Sequence, residues 1–79
     1  MEQDWKEESG KLTKTFLFKN FVEALALVNK VGEIAESTQH HPNISIQNYK
    51  EVMISTTTHD AGNVVTDKDR KLAETIDAL

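Results

Sequence analysis

The hydrophobic period of this chain changes at Asn20, and that change decides which stretches can pair as strands and which must pack as helix. Before it, Lys11 to Phe18 alternates, with Leu12, Phe16 and Phe18 on one side and Thr13, Thr15 and Leu17 on the other. Alternation with β-branched and aromatic residues is the pattern of a strand. Lys14 interrupts the apolar side, which predicts a position near an edge or an interface. After Asn20, Phe21, Leu25, Val28 and Ala35 share one helical stripe, widened by Ala24, Leu27, Val31 and Ile34. Asn20 offers a capping acceptor and Glu23 a first-turn acid. The helix should end at Ser37 or Thr38, because Pro42 denies His41 helical angles.

The remaining segments fall on either side of this helix. Trp5 to Glu8 reads as a short strand and Ser9-Gly10 as a turn. Ile44 and Ile46 alternate with Ser45 and Gln47, and Val52, Ile54 and Thr56 mark one face of a return strand from Val52 to Thr58. Asn48-Tyr49-Lys50-Glu51 connects them as a hairpin without an Asn-Gly signature. His59 to Val65 reads as a loop in which Gly62 permits a tight turn. Thr66 then caps a second helix, with Asp69 in the acidic third position and Leu72, Ala73, Ile76 and Leu79 as its apolar stripe. The order strand, strand, helix, strand, strand, helix predicts an α+β two-layer sandwich. One antiparallel sheet carries both helices on one face. At 79 residues this is one domain. A chain so short buries only about 60% of its unfolded surface, so self-association as a dimer or larger oligomer is expected. The first few residues read as a tail.

Charge and composition exclude several classes. The net charge is −4 and basic residues never cluster beyond Arg70-Lys71. That argues against a nucleic-acid partner and against attraction to an anionic membrane. There is no cysteine, hence no disulfide or thiolate metal site. The first residues lack the apolar stretch of a signal peptide and no run reaches transmembrane length. The expectation is a cytoplasmic protein.

All three histidines, His40, His41 and His59, fall in one short window. Glu36 and His40 stand four apart and would share a helix face. The hairpin brings Pro42 and His59 opposite each other, so its open end gathers all three imidazoles, and Asp69 opens the next helix close by. Three readings compete: unrelated exposed loop residues, a metal site, or acid–base catalysis. Adjacent histidines on an extended segment point to opposite sides and chelate poorly, and no HExxH spacing is present. Acid–base work needs a donor and an acceptor that exchange protons near neutral pH, which imidazole supplies without deep burial. Glu36 also has an ordinary reading as a solvated helix end, and Asp69 as a capping residue. Trp5 and Tyr49 read as packing or interface residues.

With Glu36, His40-His41-Pro42, Tyr49, Thr58-His59-Asp60-Ala61-Gly62 and Thr66 to Asp69 in this order, the chain resembles the pterin-4a-carbinolamine dehydratase family. The junction from Phe16 to Phe21 fits the same pattern, and the resemblance runs from Trp5 to Leu79. It implies four antiparallel strands with helices on one face, assembly as dimers or tetramers, and no metal or organic cofactor. The implied activity removes water from a 4a-hydroxy-tetrahydropterin to give the quinonoid dihydropterin, in recycling of the tetrahydropterin cofactor. Carried over, His40 and His59 are the acid–base pair and His41 binds and orients the pterin. Pro42, Thr58 and Asp60 line the same pocket, while Glu36 and Asp69 orient the histidines. Members of the family also include coactivators that stabilise a partner's dimer. The alternative is therefore a non-catalytic, homo-oligomeric dimerisation-cofactor module. Set against this resemblance, the chain is expected to lack the helical N-terminal segment common in longer members.

Overall fold

Alternation along the two central strands decides the layering. In a computed structural model that describes residues 4–79, four strands form one antiparallel sheet in the order β1-β2-β4-β3. They are β1 (Lys6–Glu8), β2 (Lys11–Leu17), β3 (Asn43–Gln47) and β4 (Glu51–Thr56), with helices α1 (Phe21–Thr38) and α2 (Asp67–Asp77). Leu12 and Phe16 of β2, and Val52, Ile54 and Thr56 of β4, are buried at every second position. Helix α1 adds Ala24, Leu27 and Val31 to this core, and α2 adds Leu72 and Ile76. Each buried Leu, Ile, Val or Phe of this core contributes about 1.5–3 kcal/mol before entropy is charged against it. The predicted two-layer α+β sandwich is the observed architecture. The expectation of an N-terminal tail lies outside the described residues.

Several details differ from expectation, each for a local reason. The buried seam of α1 is Ala24, Leu27, Val31 and Ala35, while Phe21 and Leu25 are exposed. The broad stripe holds two adjacent rows, and the sheet covers one. In α2 Leu79 is exposed, since the helix ends at Asp77. Strand β1 starts at Lys6, leaving Trp5 edge-on to Phe16 with its indole N–H donating to Asp77. Lys14 is on a central strand rather than at an edge, and is buried beneath α2. Its ammonium donates to Asp77 Oδ1 at 2.8 Å and lies 4.8 Å from the Phe16 ring centroid. A buried cation is tolerated because a carboxylate and an aromatic face replace water.

The hairpin register also differs. Gln47 pairs with Glu51 and Asn43 with Ser55, so Asn48, Tyr49 and Lys50 alone form the turn. Asn48 and Tyr49 both take positive φ, the twist that suits a tight hairpin. Carried one step further, the register sets Pro42 against Thr56, not His59. Strand β4 stops at Thr56, and Thr58 makes one isolated bridge to Val64. His59–Ala61 then coil into a 3₁₀ turn.

Gly10, read as an ordinary turn residue, holds this region in place. Its φ is +75° and a Cβ there would stand 2.2 Å from the carbonyl oxygen of Asn63. Its own carbonyl accepts from Thr57 Oγ1 at 2.7 Å. Gly10→Ala is expected to cost about 2–3 kcal/mol, from an unfavourable φ and displacement of the Asn63 backbone. Urea unfolding midpoints of the two proteins check this.

Candidate functional site

The end of α1 is built to turn sharply. Gln39 caps the helix in the left-handed region at φ 55°, and the amide of His40 donates to the Ala35 carbonyl. The chain thus bends back under the helix before β3. One consequence departs from expectation: Glu36 pairs with His41, at 2.6 Å from Oε2 to Nε2, and not with His40. The left-handed residue breaks the helical spacing that would have aligned Glu36 with His40.

His40 turns inward instead. Its Nε2 lies 2.6 Å from Asp69 Oδ1, and its side chain is mostly buried. Asp69 is completely buried and accepts four hydrogen bonds. On Oδ1 the donors are His40 and Thr56 Oγ1 at 2.6 Å; on Oδ2 they are Thr58 Oγ1 at 2.7 Å and the Thr66 amide at 3.0 Å. A carboxylate presents about four lone-pair directions, and all are used. Burial by itself would raise this carboxyl. The hydrogen bonds from His40, Thr56, Thr58 and the Thr66 backbone outweigh it and hold the group down at about 2. Asp69 therefore combines the capping role read from sequence with a contact to His40. Thr56, which sequence reading took as a strand residue alone, is its second donor on the same oxygen. Thr56→Val is expected to raise the Asp69 carboxyl from its low value and Thr56→Ser to leave it in place, as read by carbon NMR titration of that carboxyl.

His59 is exposed on the 3₁₀ turn, with Nδ1 at 2.7 Å from Asn63 Oδ1. Asn63 takes φ 60° beside Gly62, a conformation an asparagine adopts readily. Each imidazole thus meets one side-chain oxygen. A carboxylate can only accept, so His40 and His41 donate from Nε2, and His59 donates from Nδ1 to the amide oxygen. Among the described residues the other nitrogen of each ring meets no partner: Nδ1 of His40 and His41, and Nε2 of His59.

A cleft of about 270 Å³ has all three histidines in its walls, together with Thr58, Asp60 and Lys68. Thr58 contributes there as a wall whose hydroxyl is already committed to Asp69 and Thr66. Pro42 is half-buried at the foot of β3 and is not part of that wall. Among the described residues, no group of three or more His, Asp or Glu side chains is spaced to hold a metal ion. Lys68, Thr56 and Asn63 were not singled out from sequence. Only Asn63, beside a glycine in a loop, carried a local signal.

The family model described as pterin 4 alpha carbinolamine dehydratase matches residues 1–79. A protein from Picosynechococcus sp. named for the same family is 47% identical over 76 residues, covering 96% of this chain and 80% of that one. A crystal structure from Brucella melitensis, described as a transcriptional coactivator/pterin dehydratase, superposes with TM-score 0.86 at 29% identity. That match covers 98% of this chain and 82% of the other. A pterin dehydratase-like protein described as a RuBisCO assembly factor in the alpha-carboxysome matches with TM-score 0.79 at 25% identity. It covers 96% of this chain and 88% of that one.

Proposed function

We propose that this chain, which belongs to the pterin 4 alpha carbinolamine dehydratase family, removes water from a 4a-hydroxy-tetrahydropterin and releases the quinonoid dihydropterin. The observation that carries the reading is the paired use of each ring. One nitrogen of His40, His41 and His59 is fixed by an accepting oxygen and the other has no partner among the described residues, with all three rings on one cleft.

Dehydration breaks the C4a–O bond and removes a ring N–H proton, so it needs an acid and a base on one substrate. His40 suits the base. A proton taken at Nδ1 makes an imidazolium whose charge faces the Asp69 carboxylate, and that carboxylate, held at about 2, stays ionised. His59 suits the acid. As an imidazolium, with Nδ1–H held by the Asn63 amide oxygen, it carries a second proton on Nε2 and delivers that proton to the departing hydroxide, leaving a neutral ring. The electron pair of the broken N–H bond forms the new C=N bond as the C–O pair leaves with oxygen. His41, tied to Glu36 at the cleft edge, binds and orients the pterin, with Asp60 alongside. Pro42 sets the extended path that places His41. The chemistry needs no metal or organic cofactor. The residues described contain no helix long and apolar enough to cross a membrane, and we place the activity in the cytoplasm, carried out by a dimer or tetramer.

The direct test follows decay of chemically generated 4a-hydroxy-tetrahydropterin with and without the intact protein. Acceleration is expected; identical decay curves would remove the enzyme reading. That outcome would favour the second reading, a non-catalytic partner-binding module, which draws on the coactivator and assembly-factor descriptions of the two solved relatives and on exposed Phe21, Val22 and Leu25. For His41→Ala we expect KM to rise about tenfold with kcat changed much less, since its role is binding. An unchanged KM would contradict that role.

A further inference from the structure

The histidine cleft continues into a second space. A cavity of about 290 Å³ lies between the end of α1 and the first turns of α2, and Gln39, His40, Lys68, Lys71 and Thr75 line it. Gln39, His40 and Lys68 line the histidine cleft as well, so the two spaces adjoin. Each alone falls just under the roughly 300 Å³ at which small-molecule sites usually begin, and joined they pass it.

The walls of the second cavity are cationic and carry no carboxylate. Lys68 and Lys71 stand three apart on one face of α2. Among the described residues neither makes an ion pair, whereas Lys14 is held by Asp77 and Arg70 by Glu7. Asp67, one turn before Lys71, and Asp60, across the histidine cleft, lie outside this wall. The chain as a whole is acidic, at net charge −4, so its long-range field does not favour anions. Attraction of an anion here must come from these two ammonium groups at close range.

We propose that the second cavity receives the C6 arm of the pterin and selects arms ending in an anionic group, a phosphomonoester or a carboxylate. This rests on the reading of the histidine cleft as the pterin site. A ring held there lies next to the shared wall, and Lys68 stands at the passage between the two spaces. Lys71 lies deeper along the arm and meets its end.

The test is equilibrium binding of stable 7,8-dihydropterins, followed by calorimetry at low salt. Three C6 arms are compared: a neutral diol, a carboxylate and a phosphomonoester. The anionic arms are expected to bind about tenfold more tightly than the diol. Added salt should narrow the gap. Lys71→Gln should weaken the anionic arms far more than the diol and so remove most of the preference, and Lys68→Gln should weaken both classes. Equal affinity for all three arms, or a preference that survives in the Lys68→Gln/Lys71→Gln double variant, overturns this inference and leaves the pterin site standing. Failure of every dihydropterin to bind overturns both.

Discussion

Replacing His40 by alanine is expected to lower kcat about 10²- to 10⁴-fold, the range for loss of one positioned acid or base. Among the described residues, His40 alone of the imidazoles has a buried carboxylate behind it, and the ring carries its proton on the nitrogen facing that carboxylate. Its removal deletes the base and leaves Asp69 without one of its four donors. His59→Ala should cost about 10- to 10⁴-fold, with the lower end reached if water can protonate the departing hydroxide through the open side of the cleft. Circular dichroism and unfolding midpoints separate chemistry from folding. His59 is exposed, so its variant should unfold like the parent. An His40→Ala protein with parental kcat, measured on folded material, would remove the base assignment.

Asp69→Asn is expected to have the largest effect on stability, about 3 kcal/mol. The native carboxylate accepts from four donors among the described residues. An amide presents its own N–H₂ to two of them, leaving buried donors facing donors. In a domain of this size the melting temperature should fall by at least about 10 °C. The pH dependence has a definite sign. The folded carboxyl sits at about 2, below its ordinary value of 3.8. Its stabilising contribution is therefore fully present above pH 3.8 and fades as the pH falls through about 2. The gap between parent and Asp69→Asn should be widest near neutral pH and close toward pH 2 in urea titrations. A gap independent of pH would mean that the carboxylate's charge does not stabilise the fold.

Much of this arrangement was legible in the chain. Period and caps located both helices, since Asn20 and Thr66 act at their N-termini and Pro42 lies just past the turn that ends α1. Antiparallel pairing points to the gathering of His40, His41 and His59, although the observed hairpin register is not the one that sets Pro42 against His59. Two left-handed residues, Asn48 and Tyr49, shorten the turn, and no glycine announces them. The 3₁₀ turn at His59 and the reversal at Gln39 bring the rings to one cleft by another route. Which row of α1 is buried was not legible, since a period of 3.6 identifies the helix without saying where the sheet lies. The burial of Lys14 within the sheet, away from an edge, is not legible for a related reason: its partner Asp77 is 63 positions away. The partner of Glu36 depended on a single left-handed residue, Gln39, whose side chain gives no hint of that conformation. The hydroxyls around Asp69 were also hidden, because a threonine in a strand is ordinary until a buried carboxylate is found beside it.

A crystal structure with a dihydropterin bound is the most direct test that these three imidazoles form one acid–base site. The account places the ring among them, with His40 Nδ1 and His59 Nε2 each about 3 Å from a reacting atom of the C4a–N5 edge. A pterin seated on the open face of the sheet, or one touching none of these free nitrogens, would contradict it.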